Sequence, residues 1–224
     1  MKNIMRRTKI VCTLGPACSD EKTITEMCLA GMNVARLNFS HNTHEDHLER
    51  IKTVKRVRDK LKLPIAILLD TKGPEYRIKT FESGKVFLNE GDEFIFTSKE
   101  IEGNQSKVSV NYKNLPKELS KGDTILLNNG LLSFEVLDTN ETDVICRVVI
   151  GGELSDRKSM SFPNKTLKQK YLSEQDKLDI MFGVRNGIDF LACSFVSCKQ
   201  DLIDVKNFLK EQNVSGIDVI AKIE

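Results

Sequence analysis

The 224-residue sequence lacks tryptophan, has only 6% aromatic residues and contains no long apolar segment. No run approaches the roughly 20 apolar residues that a membrane-spanning helix needs, and the basic amino terminus lacks the apolar stretch of a secretion signal. The six cysteines form no C-x-x-C pair and no spacing typical of a small disulfide-linked domain. We therefore expect a soluble cytoplasmic protein with reduced thiols and no membrane contact.

The sequence also lacks a marked excess of either charge. It has 34 Lys and Arg residues against 32 Asp and Glu, a net charge of +2. This is too little to indicate a nucleic-acid partner, which usually requires a clustered basic face. With 40% hydrophobic residues the chain can build a buried core, and its length suits one large domain or two small ones.

Strand and helix patterns alternate over about the first 70 residues. One predicted helix is capped by Ser19 and ended by Gly31, and a second begins at the capping box Thr43-x-x-Asp46. This β-α-β-α-β order implies a parallel sheet with right-handed crossovers. The predicted strands occupy residues 9–14, 32–37 and 65–70.

The pattern changes after Gly73-Pro74, and no helical period persists as far as residue 161. Short β-type runs separated by turn signals such as Asn129-Gly130 take its place. About 85 residues of this kind predict a small all-β barrel or sandwich, inserted into an α/β domain because insertions at loop tips are well tolerated. The predicted strands occupy residues 85–88, 93–97, 107–110, 124–127, 133–137 and 144–150.

The α/β pattern resumes at the capping box Ser173-x-x-Asp176. The helix that begins there is expected to bury one apolar face, formed by Leu178, Met181 and Phe182. The remaining predicted elements are a strand at 189–193, a helix capped by Ser197-x-x-Gln200 and a strand at 217–224.

Five strands and four helices in this order fit the first part of an eight-stranded barrel better than a finished open sheet. The predicted fold class is therefore α/β, an incomplete (β/α)8 TIM-type barrel with five of eight strands and an inserted all-β barrel domain. The predicted domains are residues 1–73 and 164–224 for the barrel and 74–163 for the insertion.

Polar side chains follow four of the predicted strands, and the carboxyl ends of barrel strands form one mouth where active sites are built. Lys and Arg side chains suit phosphate oxygens, whereas carboxylate, amide and hydroxyl oxygens suit hard cations. Such a set is typical of phosphoryl transfer, which depends mostly on positioning and charge neutralisation. The residues are Arg36, Asn38, Ser40, Asp70, Thr71, Lys72, Ser194, Lys222 and Glu224.

Each of these residues taken alone also has a structural interpretation. Arg36 and Asp70 could form a buried ion pair, and Lys222 and Glu224 could form an exposed pair at the rim. The occurrence of such residues after four successive strands favours a functional site.

Four segments resemble the successive barrel-strand motifs of pyruvate kinase, in the same order and over essentially the whole chain. The β insertion lies where that family carries its mobile lid. The resemblance implies transfer of a phosphoryl group from phosphoenolpyruvate to ADP in glycolysis, giving pyruvate and ATP, with lid closure to exclude water. The segments are 8–16 (TKIVCTLGP), 33–41 (NVARLNFSH), 69–75 (LDTKGPE) and 221–224 (AKIE).

The resemblance also implies roles for individual residues and a homotetrameric full-length form. The residues implied to be catalytic are Lys222, Arg36 and Arg77, and those implied to bind the substrate are Arg36, Ser194 and Lys222. The residues implied to contact the nucleotide are Arg36, His41 and Arg77. The implied potassium ligands are Asn38, Ser40, Asp70 and Thr71, and the implied ligand of magnesium or manganese is Glu224.

The sequence departs from the family pattern most clearly by what it does not contain. The family's sixth strand, with a second metal-binding carboxylate, its later strands and its carboxyl-terminal domain have no counterpart in these 224 residues. We therefore expect the 224-residue chain alone to show no pyruvate kinase activity, and a metal-dependent ADP-to-ATP signal from it would contradict this expectation.

Smaller departures concern the inserted domain and the histidines. Asn128-Asn129-Gly130 stands where the family often has two aspartates before the glycine, which weakens any metal-linked nucleotide contact unless the segment is simply a tight hairpin turn. Residues 159–163 match the family's return segment only loosely. Histidines 41, 44 and 47 are spaced at three, as a zinc site could be, but no fourth ligand lies nearby.

Two other functions stay open from the sequence. One is a different barrel enzyme that handles phosphoenolpyruvate or pyruvate, since its mouth would need similar cations. The other is a non-catalytic pyruvate-kinase-like paralogue that binds nucleotide or phosphate, for which Asn128-Asn129 is the best support.

Overall fold

The computed structural model describes residues 7–223 and divides the chain into two compact units. The first, called the α/β unit, is built from the chain up to Pro74 and from Lys170 onward. The second, called the β unit, is Glu75–Gln169. No helix within the described residues has both the length and the apolar character needed to cross a membrane.

The α/β unit begins with the predicted alternation of strands and helices. Thr43 and Asp46 cap the second helix reciprocally, which confirms the predicted capping box. The first helix is capped by Asp20, whose Oδ1 accepts a hydrogen bond from the Thr23 N–H at 2.9 Å. The prediction of Ser19 was wrong, because its hydroxyl donates instead to the Pro16 carbonyl at 3.4 Å. The elements are β1 (Val11–Thr13), α1 (Glu21–Ala30), β2 (Val34–Asn38), α2 (His44–Leu61) and β3 (Ala66–Asp70).

The β unit contains eight strands and one single-turn helix. They are β4 (Lys85–Leu88), β5 (Glu93–Thr97), β6 (Lys107–Ser109), α3 (Leu115–Glu118), β7 (Thr124–Leu127), β8 (Leu132–Thr139), β9 (Asp143–Ile150), β10 (Gly152–Ser155) and β11 (Met160–Ser161).

Six strands of the β unit form a sheet in the order β11-β7-β8-β9-β5-β6, and β10 pairs with β4. The pairs are antiparallel except for β5 with β6. Phe94, Phe96 and Phe134 pack against one another with no exposed surface, so their burial stabilises this unit by about 2 kcal/mol each. The elements α3, β10 and β11 were not predicted, because runs of two to four residues carry no detectable period.

The α/β unit resumes with α4 (Glu174–Arg185), β12 (Phe190–Cys193), α5 (Lys199–Glu211) and β13 (Asp218–Ala221). The capping box of Ser173 and Asp176 is confirmed. At α5 the cap is Cys198 with Asp201, not Ser197 with Gln200, because the Asp201 carboxylate accepts the backbone N–H of Cys198 at 3.0 Å.

The predicted buried face of α4 is confirmed only in part, because Phe182 packs against the core and Met181 is half-buried, but Leu178 is not buried. Leu178 is 61% exposed, whereas Ile180 and Gly183 are buried. A Cβ atom on Gly183 would lie 2.4 Å from Leu69 Cδ1, so the helix approaches β3 at this glycine. This close approach rotates Leu178 toward solvent.

The five strands of the α/β unit form a parallel sheet in the order β1-β2-β3-β12-β13. Ile67, Leu68 and Leu69 of β3 are all buried, as expected for a parallel strand covered on both faces. Because the strands are parallel, their carboxyl ends lie at one edge of the sheet, where the predicted polar residues follow them.

Candidate active site

Asp70, the last residue of β3, is a buried carboxylate shared by two cations. Its side chain is 1% exposed. Arg36 donates from Nε to Oδ2 at 2.6 Å and makes a second contact to Oδ2 through Nη2. Lys222 donates from Nζ to Oδ1 at 2.9 Å. We call Arg36, Asp70, Ser194 and Lys222 the Asp70 cluster.

Strand register brings these residues together. Asp70 is the register partner of Asn38 on β2 and of Ala192 on β12, so Arg36, two residues before Asn38, lies on the same face of β2 as Asn38. Lys222 follows β13, and its backbone N–H donates to the Cys193 carbonyl at 2.9 Å. The backbone therefore holds both cations beside β3.

Ser194 links Lys222 to the loop that follows β3. Its hydroxyl donates to the Thr71 carbonyl at 2.6 Å, and it accepts from Lys222 Nζ at 2.7 Å. The hydroxyl has a single proton, and the Thr71 carbonyl and Asp70 Oδ1 can both only accept it; the shorter contact, 2.6 Å against 3.0 Å, assigns it to the carbonyl. Asp70 Oδ1, 3.0 Å from the Ser194 hydroxyl, is therefore bridged to it by the Lys222 ammonium.

The Asp70 cluster carries two positive charges and one negative charge. The two cationic side chains are 30% and 28% exposed, whereas the carboxylate between them is buried. A buried anion thus holds together two cations that would otherwise repel each other, and their exposed surfaces suit an anionic ligand such as a phosphate or carboxylate.

Residues that pack closely against the Ser194 backbone fix its position. Gly73 has a φ of +66°, and a Cβ atom there would lie 2.6 Å from the Ser194 carbonyl oxygen. Tyr171 donates its hydroxyl to the same carbonyl at 2.6 Å, and burial raises the pKa of Tyr171, so the phenol keeps its proton. Phe195 has a φ of +57°, a left-handed conformation that costs free energy in a bulky residue and is often found at functional sites.

The predicted cation ligands lie at the same edge of the sheet. Asn38 Oδ1 accepts the Ser40 N–H at 3.0 Å, and Ser40 itself is exposed. Thr71 is buried, and its Oγ1 accepts the Ser194 N–H at 3.2 Å. Asn38 and Asp70 are register partners and Thr71 directly follows Asp70, so these three residues lie close together.

The next two predicted site residues are Arg77 and Lys72. Arg77 lies in the β unit, where it pairs with Glu75 at 2.5 Å and donates to the Arg157 carbonyl at 2.6 Å. Lys72 is exposed after β3. Glu224, the predicted magnesium ligand, lies outside the described residues.

The ring nitrogens of His44 and His47 contact different groups instead of converging on one metal position. His44 Nε2 is 2.7 Å from Asp179 Oδ1, and His47 Nε2 is 2.9 Å from the carbonyl oxygen of His41. No group of three or more His, Cys, Asp or Glu side chains among residues 7–223 is arranged to hold a metal ion.

Asn128 and Asn129 form a hairpin turn, one of the two interpretations of this segment that the sequence allowed. Asn128 and Asn129 both have positive φ, and the Gly130 N–H donates to the Leu127 carbonyl at 3.1 Å. This is the geometry of a type I′ turn between the antiparallel strands β7 and β8. The turn geometry accounts for asparagine at these positions without any ligand.

Two residues of the site were missed from the sequence. Thr13, at the end of β1, accepts a hydrogen bond from Arg36 Nη1 at 2.6 Å, and its place at a strand end was a usable signal. Tyr171 was missed because no local pattern connects it to Ser194, 23 positions later.

Comparisons of the sequence and the structure with known proteins all match the same kind of enzyme. A family profile described as "Pyruvate kinase, barrel domain" matches residues 5–224. A pyruvate kinase of Bacillus licheniformis is 42% identical over 222 residues, which are 98% of this chain and 38% of that protein. A pyruvate kinase of Clostridium perfringens is 40% identical over 221 residues, 98% of this chain and 47% of that protein.

A solved structure is also similar. The crystal structure of a pyruvate kinase from Cryptosporidium parvum matches with a TM-score of 0.90 at 33% identity, over 98% of this chain and 46% of that chain. The chain thus spans less than half the length of each of these relatives.

Proposed function

The chain belongs to the pyruvate kinase family, and from that premise we propose that the full-length protein transfers a phosphoryl group from phosphoenolpyruvate to ADP, giving pyruvate and ATP in glycolysis. In this reaction the bond between phosphorus and the enol oxygen breaks, a bond to a terminal oxygen of ADP forms, and the enolate takes up a proton. Both substrates are anions, so the site must present positive charge that the protein's own carboxylates do not fully neutralise.

The observation that carries this proposal is the geometry at Asp70. Arg36 and Lys222 converge on one buried carboxylate from β2 and from the residue after β13, and both cations keep exposed surface. In a purely structural ion pair, charges balance one to one. Here the second cation leaves the cluster with a net positive charge at the carboxyl edge of a parallel sheet.

Each residue of the cluster supports one part of the reaction. Arg36 uses Nε, Nη2 and Nη1 for its contacts to Asp70 and Thr13, and two of its five N–H groups are not used by these contacts, so we assign them to phosphate oxygens. Lys222 presents its ammonium where charge develops on the transferring group and the enolate. Ser194 holds the Lys222 ammonium in place and borders the substrate.

The oxygen ligands fit a potassium ion. A carboxylate accepts about four contacts. Arg36 makes two to Oδ2, and Lys222 Nζ and the Ser194 hydroxyl lie 2.9 Å and 3.0 Å from Oδ1, so a cation at Asp70 would share the carboxylate with these groups. Asn38, Ser40 and Thr71 would complete this set, and potassium bound there would add positive charge beside the phosphoryl group.

Glu224 is proposed as one carboxylate ligand of magnesium or manganese, the divalent cation that would neutralise phosphate charge. We also propose that the α/β unit is the first five strands of a (β/α)8 barrel and that the β unit is the inserted lid domain of the family. Arg77 and His41 would contact the nucleotide. The full-length protein is expected to be a cytoplasmic homotetramer.

A pyruvate-forming assay on the natural full-length protein tests the proposed function. Pyruvate should form from phosphoenolpyruvate only with ADP and a divalent cation, and potassium should increase the rate. Lys222→Met should reduce the rate at least about a thousandfold, the loss typical of removing a group that stabilises developing charge. The exposed Lys206→Met on α5 is the matched control and should keep the wild-type rate. Equal rates for the two variants would refute the role of Lys222.

A non-catalytic paralogue is not favoured, because its best support, Asn128-Asn129, is explained by the type I′ turn. Nucleotide binding by the full-length protein without any turnover would reverse this ranking.

A further inference from the structure

The turn between β2 and α2 carries Asn38, Ser40 and His41, three residues that we assign to ligands. Its backbone is tied to β3 at Phe39, whose N–H donates to the Asp70 carbonyl at 3.0 Å, and the hydrogen bonds beyond Phe39 are local. The Ser40 N–H donates to Asn38 Oδ1 at 3.0 Å, and the His41 N–H donates to the Asn38 carbonyl at 3.3 Å. Ser40 and His41 are both exposed. The conformation of this turn therefore depends on groups that hold it from the protein side.

His47, in the first turn of α2, contacts the turn at two points. Its ring stacks on Phe39 with centroids 4.1 Å apart and an interplanar angle of 11°. Its Nε2 is 2.9 Å from the carbonyl oxygen of His41. Because a carbonyl oxygen can only accept, Nε2 carries the proton and donates. His47 is 1% exposed, so this bond is shielded from water.

Arg50, one helical turn further along α2, contacts the end of the same turn. Its Nη2 is 3.4 Å from Asn42 Oδ1, and Asn42 has a left-handed φ of +70°. Arg50 Nη1 and His47 Nδ1 are both buried and have no hydrogen-bond partner among the described residues. One is a donor and the other an acceptor, and they lie three residues apart on one helix face.

We propose that His47 is a positioning residue that fixes the turn at residues 38–42 through the hydrogen bond from Nε2–H to the His41 carbonyl, with Arg50 holding Asn42. Asn38, Ser40 and His41 thereby keep the geometry needed to bind a potassium ion and the nucleotide. The ligand part of this inference rests on the proposed function, whereas the hydrogen bond and its effect on the turn do not.

Two substitutions separate the hydrogen bond from mere filling of space. His47→Phe keeps a ring that can stack on Phe39 but removes the donor. His47→Gln loses the ring but can place an N–H near the position of Nε2. Val57→Ala, a fully buried residue on the same helix, is the control for general loss of stability.

The first measurement uses the 224-residue chain labelled with nitrogen-15. Long-range proton–nitrogen spectra of the three histidine rings should show the neutral Nε2–H form of His47 at pH 7.5. Exchange of the Ser40 and His41 amides should be about fivefold faster in His47→Phe, the change expected for one hydrogen bond, and near the wild-type rate in His47→Gln and Val57→Ala. An Nδ1–H form, or equal exchange in all four proteins, overturns the positioning role.

The second measurement is a titration with potassium chloride against tetramethylammonium chloride at constant ionic strength. In the wild type the Ser40 amide should shift with potassium only, and His47→Phe should need several-fold more potassium than His47→Gln. Equal potassium dependence of these two variants overturns the link to the ligands. If the wild type shows no specific shift while the first measurement succeeds, the proposed potassium site fails and the positioning of the turn stands.

Discussion

The ammonium of Lys222 lies 2.9 Å from Oδ1 of Asp70, a buried carboxylate 152 positions earlier in the chain. The contact exists because β3, β12 and β13 are neighbours in one parallel sheet. Arg36 reaches the same carboxylate from β2 on the other side. Asp70 is therefore the electrostatic centre of the site as well as part of its structure.

Replacing this carboxylate should destabilise the fold. In Asp70→Asn the two cations lose their shared partner, and we expect the free energy of unfolding to fall by about 2–4 kcal/mol, measured by urea denaturation. The control is Glu49→Gln, which removes the exposed pair with Lys52 and should cost less than about 0.5 kcal/mol. Similar losses in both variants would show that the Asp70 cluster is no more coupled than a surface pair.

Gly73 should be much less tolerant of a side chain than Gly84. Both have positive φ, +66° and +75°, so alanine at either position costs about 1 kcal/mol of backbone strain. Only at Gly73 would the new Cβ atom meet another group, the Ser194 carbonyl oxygen at 2.6 Å. We expect Gly73→Ala to be less stable than Gly84→Ala by about 2 kcal/mol in thermal or urea unfolding. Equal stabilities would exclude the steric conflict.

Acidification should weaken the fold through His47. Burial lowers the pKa of His47 below its ordinary value of 6.5; the hydrogen bond to the His41 carbonyl opposes this decrease, and the nearby Arg50 cation adds to it. Between the two pKa values the unfolded chain binds a proton that the folded chain does not, so stability increases with pH in that range. The contribution of neutral His47 is complete above pH 6.5 and is lost as the pH falls toward the lowered folded pKa.

Urea denaturation between pH 7.5 and 5.5 measures this effect. His47→Gln should show a smaller decrease in stability over this range than the wild type. His41→Gln, which replaces an exposed histidine, should keep the wild-type dependence. An unchanged slope in His47→Gln would contradict the assignment of a buried neutral imidazole.

The cysteines should differ widely in reactivity. Burial raises the pKa of Cys193 to about 12, so about one in ten thousand of its thiols is ionised at pH 8. Burial also raises the pKa of Cys146, whereas Cys198 is exposed. A disulfide reagent should modify Cys198 rapidly, and Cys193 and Cys146 only after unfolding. Cys198→Ser should remove a rapid phase that Cys146→Ser retains.

Much of the secondary structure could be predicted because helix starts depend on neighbours. The capping boxes at Thr43 and Ser173 each join residues three apart, and both were predicted. The cap of α1 was displaced by one residue, because Ser19 and Asp20 are both good caps and the turn before the helix decides which one faces its first N–H groups.

The orientation of a helix about its axis could not be predicted in the same way. Leu178 belongs to an apolar stripe of α4 yet is exposed, because the helix meets the sheet at Gly183. Glycine carries no hydrophobic signal in the sequence. Its importance appears only when Leu69 on β3 is found against it.

The sequence by itself determined the order of strands and helices, two of the four predicted helix N-caps and the kinds of side chain placed after each strand, because all of these depend on residues a few positions apart. It also contained the motifs that identify the family. Only the tertiary structure decided that Asp70 serves both Arg36 and Lys222, and that Tyr171 holds the Ser194 carbonyl. Such contacts depend on strand order and register, which bring together groups separated by up to 152 positions.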